Sequence, residues 1–231
     1  MAKKKILIFS LAYHPFVGGA ELAIKEITDR IGNDFLFDMI TLRFDTQLPR
    51  YEQIGNVAVY RVGFSKKKPT NEELIQFPLY FAKVFYPLWA FLKAIKLHRR
   101  NRYDAFWVMM AYAGFPVALL GLFNYRVPYL LTLQEGDPID YMTKRWRIRA
   151  VSFLFKRIFK NASLIQVIST YLWEYAREMG FKGHVVVVHN GVDIKNFTSK
   201  ISDLEKIELK KKLRTQEDDK IIITTSRLVQ K

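Results

Sequence analysis

The segment KILIFSL (residues 5–11) is a nearly unbroken apolar run, followed closely by His14-Pro15 and then by the adjacent pair Gly18-Gly19. A run this short, without polar alternation, suits a strand buried on both faces, which requires a parallel sheet with helices on either side. Glu21 to Ile31 then repeats apolar residues at helical spacing, through Leu22, Ala23, Ile27 and Ile31, and closes on Gly32. A strand, a glycine-bearing turn and a helix in that order leave few folds open.

The alternation continues along the chain. FLFDMITL (35–42) and NVAVYRV (56–62) read as strands, and SKKKPTNEEL as a loop. Thr70 and Glu73 in that loop have capping-box spacing and open a predicted helix toward His98. DAFWVMM (104–110) is a strand, FPVALLGLF (115–123) a short helix, and PYLLTL (128–133) a strand that runs into the turn-rich QEGDP. A basic helix over 141–160, the strand SLIQVIS (163–169), a helix over 170–179 and the strand HVVVVH (184–189) complete the series, which ends at Asn190-Gly191. The pattern predicts an α/β fold: a Rossmann-like open, mostly parallel sheet with helices on both faces.

Residues 1–195 form one domain on this reading. Beyond them, residues 196–231 read as a linker and the truncated start of a second domain. Ser202 and Glu205 match a second capping box before the charged helix LEKIELKKKLR, and DDKIIITTSRLVQK contains a fresh apolar strand that needs further sheet to pair with.

Composition narrows the function. Of the 231 residues, 50% are hydrophobic, enough for a core and incompatible with disorder. There is no cysteine, which excludes disulfides and thiolate metal sites. His14, His98, His184 and His189 have no metal-ligand spacing. The net charge of +15 is concentrated. Six basic residues and no acid lie in Leu74–Tyr103, and seven basic residues and no acid in Tyr141–Lys160, together thirteen of the excess. Such patches point to an anionic surface as partner. No RNA- or DNA-reading motif accompanies them, so no nucleic acid is expected. KKKILIFSLA has a leader-like start, but its apolar run breaks at Tyr13-His14 and a helix follows, so it is not read as a signal peptide. LIQFPLYFAKVFYPLWAFLKAIKL (74–97) has the length of a membrane span but carries three lysines and two prolines, and reads as an interfacial or core helix.

The turn HPFVGGAE places bare backbone N–H groups at the positive end of a helix, where a phosphate is favoured. The spacing is not G-x-G-x-x-G, which argues against a nicotinamide or flavin cofactor. A Gly-Gly pair also serves as an ordinary tight turn, and spacing alone leaves both readings open. GGAE after the first strand, HNGVD (189–193) after the last, and TSRLVQK (225–231) after the first strand of the new unit occur in register. In this the chain resembles, over essentially its whole length, the family-four glycosyltransferases. These are retaining enzymes of the GT-B fold, whose two Rossmann-like domains face a cleft.

That resemblance implies a nucleotide-sugar-dependent hexosyltransferase acting on a lipid-linked or polysaccharide acceptor, with residues 1–195 as the acceptor-side domain. It implies no metal, and no cofactor beyond the donor substrate. Gly18, Gly19, Arg227 and Lys231 match the positions that hold the donor diphosphate, where fixed positive groups stabilise the charge developing on the leaving group. His14, Gln134 and Asn190 fall at acceptor- or sugar-facing positions, although many relatives carry histidine where Gln134 stands. Glu135 and Asp137 are the catalytic candidates. Glu135 as general base stands beside a mechanism in which the leaving phosphate takes the proton, and beside a plain turn with two solvated acids. Glu21, in the first turn of its helix, reads as structural. The family's acidic catalytic motif is expected beyond Lys231, so the chain alone is expected to be inactive. A non-catalytic acceptor- or partner-binding module is the alternative. Val151, Leu154, Phe155, Ile158 and Phe159 would give helix 141–160 an apolar face for an anionic membrane, with the stretch 74–103 as a second contact. The location implied is cytoplasmic and peripheral at the inner face of the plasma membrane.

Overall fold

A single eight-stranded sheet organises the N-terminal part of the chain, with strand order β3-β4-β2-β1-β5-β6-β7-β8. The computed structural model describes residues 3–69, 73, 76–135, 151–194, 198, 202–215, 219 and 222. The strands are β1 (Lys4–Phe9), β2 (Phe35–Leu42), β3 (Tyr51–Ile54), β4 (Val57–Val62), β5 (Ala105–Met109), β6 (Tyr129–Leu133), β7 (Leu164–Val167) and β8 (Val185–Val187). The helices are α1 (Gly19–Ile31), α2 (Leu79–Asn101), α3 (Phe115–Leu122), α4 (Ser152–Lys160), α5 (Thr170–Glu178) and α6 (Asp203–Leu213). Every strand pair is parallel except β3 with β4. This is the predicted Rossmann-like α/β architecture.

The central strand shows why an unbroken apolar run was needed. β1 lies between β2 and β5, with Ile8 level with Met39 on one side and Trp107 on the other. Leu7 and Phe9 point into the core under α2, α3, α4 and α5, while Ile8 points to the opposite core, which Ala20 and Ile24 of α1 cover. All three are fully buried. At about 25 cal/mol per Å² of apolar surface removed from water, each such side chain contributes roughly 1.5–3 kcal/mol.

Four details depart from the sequence reading. β3 was not anticipated: YEQI is short, half-exposed and pairs antiparallel at the sheet edge through the Gly55-Asn56 turn, with Gly55 at φ 54°. Gly32 ends α1 at φ −63°, so a left-handed cap is not what requires it. A side chain there would collide with Asn56, whose amide Nδ2 donates to the Thr28 carbonyl at 3.3 Å. α2 begins at Leu79, behind Pro78, and Glu73 pairs with Lys66; Thr70 lies outside the described residues. Finally, the apolar side of α4 is core, with Phe155, Ile158 and Phe159 buried. The face proposed for a membrane is therefore spent inside the protein, and residues 141–150 lie outside the described set.

The chain divides into two compact units, Met1–Asn190 and Gly191–Lys231. In the second, α6 starts with the reciprocal cap read from the sequence: the Ser202 N–H donates to Glu205 at 2.9 Å and the Ser202 hydroxyl accepts from the Glu205 N–H at 3.3 Å.

Candidate functional site

The chain leaves β1 toward β2 on one side and reaches β5, on the other side, only after α2. In open α/β sheets ligands bind outside the carboxyl ends of the strands at such a divide. The loop that leaves β1 there is Ser10–Gly18, and it is held from three directions. The Tyr86 hydroxyl, from α2, reaches the carbonyls of Ser10 and Ile40 at 3.2 Å each. Leu11 O accepts from the Thr41 hydroxyl at 3.1 Å. The buried Arg61 of β4 donates to His14 O at 2.8 Å and Pro49 O at 3.2 Å, and its guanidinium pairs with Glu52. A charge buried this well requires such partners.

At the end of the loop Gly18 caps α1. Its N–H donates to the Glu21 carboxylate at 2.7 Å, so Glu21 has the expected structural role and this amide is occupied. The next N–H groups, of Gly19 and Ala20, belong to the first turn and have no helical carbonyl to meet. A Cβ built on Gly19 would meet nothing within 4 Å. The corner is open. His14, expected to face the ligand, is half-buried with its ring edge-on to Tyr13 at 4.9 Å, and its Nε2 is buried without a hydrogen-bond partner among the described residues. The Tyr13 hydroxyl beneath it is also unpartnered, and burial, followed by the Asp29 carboxylate, raises its pKa to about 12.

On the other side of the divide, β5 is followed directly by Met110, whose φ of 67° is a strained conformation for a residue with a side chain. The next amide, of Ala111, donates to Glu135 Oε1 at 2.6 Å. Glu135 follows β6 and is buried, with Oε2 unpartnered among the described residues. Burial raises its carboxyl to about 7, against backbone hydrogen bonds that lower it. The Tyr175 hydroxyl of α5, likewise unpartnered, feels the Glu135 charge. Through Oε1 the Glu135 carboxyl ties down the turn that follows β5. Gln134, its neighbour, faces outward and exchanges amide hydrogen bonds with Asn190 at 3.1 and 3.4 Å. His189 Nδ1, at 2.8 Å from Ile168 O, must donate, which leaves Nε2 as an acceptor.

Thus Gly18, Gly19, Gln134, Glu135 and Asn190 all stand at the carboxyl edge, and Gln134 touches Asn190. Asp137, Arg227 and Lys231 lie outside the described residues. Among the described residues no group of three His, Asp or Glu side chains is placed to hold a metal ion. Arg61, Tyr86 and Met110 were missed. Arg61 alone left a trace, as a charge interrupting a strand that otherwise reads as buried.

An open α/β sheet with a glycine-bounded helix start at its switch point defines the class: a Rossmann-like α/β protein. The sequence over residues 18–191 matches the Glycosyl transferase 4-like domain, and the chain belongs to that family. It is 24% identical over 219 residues to an uncharacterized glycosyltransferase of Methanocaldococcus jannaschii, covering 91% of this chain and 53% of the relative. The fold is shared with sucrose-phosphate synthase of Thermosynechococcus elongatus, at TM-score 0.64, 16% identity, and coverage of 94% of this chain and 54% of that one. It is also shared with the E. coli trehalose-6-phosphate protein bound with UDP-2-fluoro glucose, at TM-score 0.57, 12% identity, and coverage of 91% and 55%. The chain spans about half the length of these relatives. It is a family-four glycosyltransferase chain with a GT-B-type Rossmann-like unit.

Proposed function

We propose that this chain is the acceptor-side half of a hexosyltransferase that moves a sugar from a nucleoside-diphosphate donor to a lipid-linked or polysaccharide acceptor with retention. Residues 1–195 form that domain, and residues 196–231 open the nucleotide-sugar domain. The observation that carries the reading is the corner at the switch point of the sheet, where a Cβ on Gly19 would meet nothing within 4 Å among the described residues and the preceding loop is held by Arg61 and Tyr86. One fold neighbour binds UDP-2-fluoro glucose and a trehalose-6-phosphate synthase relative transfers with retention, which supports the donor class and stereochemistry. Gly18 and Gly19 approach the diphosphate from this side, and Arg227 and Lys231 grip it from the other. Gln134 and Asn190, joined as an amide pair, present hydrogen-bonding groups to the acceptor or transferred sugar. His14 and Asp137 complete that wall. Glu135 holds the turn below rather than acting as general base, and the leaving phosphate takes the acceptor proton. No metal or cofactor takes part.

The 231 residues alone do not turn over, because half of the catalytic cleft lies outside them. Incubation with UDP-, GDP- and dTDP-hexoses and polyprenyl-phosphate or oligosaccharide acceptors should give no transfer. Joining the chain to a complete nucleotide-sugar domain should restore transfer with the donor's anomeric configuration. Robust transfer by the chain alone overturns its inactivity, an inverted product overturns retention, and silence from every folded fusion leaves the binding-module reading in place.

Membrane association belongs to the same proposal and rests on α2. No described helix is long and apolar enough to cross a membrane. Yet α2 leaves Phe81, Phe85, Leu88 and Leu92 about half exposed on one side, with Phe77 just before it 80% exposed. Lys96, Arg99, Arg100 and Arg102 follow at its C-terminal end. An apolar stripe that runs into positive charge suits the headgroup layer of an anionic membrane, which supports a peripheral position at the inner face of the plasma membrane as part of this proposal. Co-sedimentation with phosphatidylglycerol vesicles, absent with phosphatidylcholine alone, is the expected result; no preference between the two ends the idea.

A further inference from the structure

The opposite edge of the sheet carries a second concavity. α2 runs back along the sheet and ends at Asn101, ahead of the first residue of β5, while the segment 123–128 leads into the first residue of β6. Between these two segments lies an open hollow of about 530 Å³, lined by His98, Arg99 and Arg102 from the first and Asn124, Tyr125 and Arg126 from the second. β5 is five residues long, so at about 3.3 Å per residue the hollow lies roughly 17 Å from the Gly18-Gly19 edge. It is a different place.

Its chemistry is one-sided. Three arginines and, among the described residues, no carboxylate line the wall. Among the described residues none of Arg99, Arg102 and Arg126 makes a side-chain ion pair or hydrogen bond, whereas the buried Arg61 has both. The hollow has a shaped floor: the His98 ring stacks on Tyr103 at 6.0 Å and sits edge-on to Phe106 and Tyr125, at 5.8 and 6.2 Å. His98 Nδ1 is buried with no hydrogen-bond partner among the described residues. Arg102, the left-handed C-cap of α2, and Asn124 both have positive φ, 55° and 61°. Planar guanidinium forks match phosphate oxygens two at a time, and like charges gathered without counter-charge favour an anion that bridges them.

We propose that this hollow is a binding site for a phosphate-bearing anion, separate from the transferase cleft, with Arg99, Arg102 and Arg126 gripping the phosphate and His98 beneath it. The same chemistry has two sources, a free phosphorylated metabolite or the headgroup of an anionic lipid, and two arms of one experiment separate them. Inorganic pyrophosphate is titrated calorimetrically into the full chain at low salt, and phosphatidylglycerol vesicles are offered in parallel. Saturable pyrophosphate binding that weakens at least about tenfold in Arg99→Ala/Arg126→Ala supports the site. Arg99→Lys/Arg126→Lys, which keeps the charge but not the fork, should fall between the two. Circular dichroism melting of each variant should match the parent, because these side chains are exposed. Vesicle binding lost in the same double alanine variant, with no pyrophosphate binding, assigns the site to a lipid phosphate instead. Pyrophosphate and vesicle binding both unchanged in that variant, or no binding of either probe by the parent chain, overturns the proposal.

Discussion

Helices α2 and α4 carry the same signature in the sequence, many aromatic and basic residues and no acid, but the fold uses them in opposite ways. α4 buries most of its apolar side in the core, where Phe155, Ile158 and Phe159 lie, and leaves Phe153 at 65% exposure with Lys156 and Lys160 in the solvent. α2 is apolar nearly all round. It buries Leu79, Ala82, Tyr86, Ala90, Ala94 and Leu97 and still shows Phe81, Phe85, Leu88 and Leu92. A sharply two-sided helix has a single apolar face, and a sheet that needs covering claims it first. Only a helix with apolar surface to spare can offer some to an outside partner. The lysines of α2 differ too. Lys93 stands over the Tyr60 ring at 4.4 Å, and burial lowers the pKa of both Lys83 and Lys93, so the freely solvated charge of this helix gathers at its C-terminal end.

The strongest test of the contrast is Phe159→Ala, which should cost about 3–5 kcal/mol in urea denaturation. A cost below about 1 kcal/mol would make α4 a surface element after all. Next comes the carboxyl buried on the α4 side of the sheet. The folded pKa of Glu135, about 7, lies above the unfolded value near 4.5, so its contribution to stability is complete below about pH 4.5 and is lost as pH rises through 7. The parent should lose roughly 2–3 kcal/mol between about pH 5 and pH 8, and Glu135→Gln, which keeps an acceptor for the Ala111 N–H, should flatten that slope. An unchanged slope removes Glu135 as its source. Gly114→Ala should cost about 1–3 kcal/mol, since a Cβ there would run into Ile158 of α4. The smallest effect on stability belongs to α2: Leu88→Ser/Leu92→Ser should change unfolding by about 0.5 kcal/mol or less per site, yet reduce partition onto anionic vesicles about tenfold. If that variant unfolds easily and still binds vesicles, the two helices have exchanged roles.

The sheet was legible because seven of its strands are apolar runs bounded by turn residues, and a buried parallel strand has no other way to look. β3 escaped because an edge strand half in water needs no such run, although Gly55-Asn56 between two extended segments was a readable hairpin turn. At the candidate site, Gln134 was singled out by its loop at a strand end and Asn190 by the family resemblance; their amide hydrogen bond was not foreseen from either. Glu135 was found too, but its burial was not, because the space that swallows it is made by Ala111 and Tyr175, far away in the chain. Arg61 and Tyr86 act through backbone carbonyls, which every residue has and no sequence displays.

Gly19 occupies the first position of a helix, turned toward empty space, in a backbone conformation that any residue could adopt. Alanine there would clash with nothing and would favour the helix by up to about 1 kcal/mol. The protein thus forgoes stability at this position with no gain in packing among the described residues, and on the proposed function the missing methyl group is clearance for the donor. Gly19→Ala is therefore a substitution that should separate folding from recognition, leaving the first intact or improved while obstructing the second.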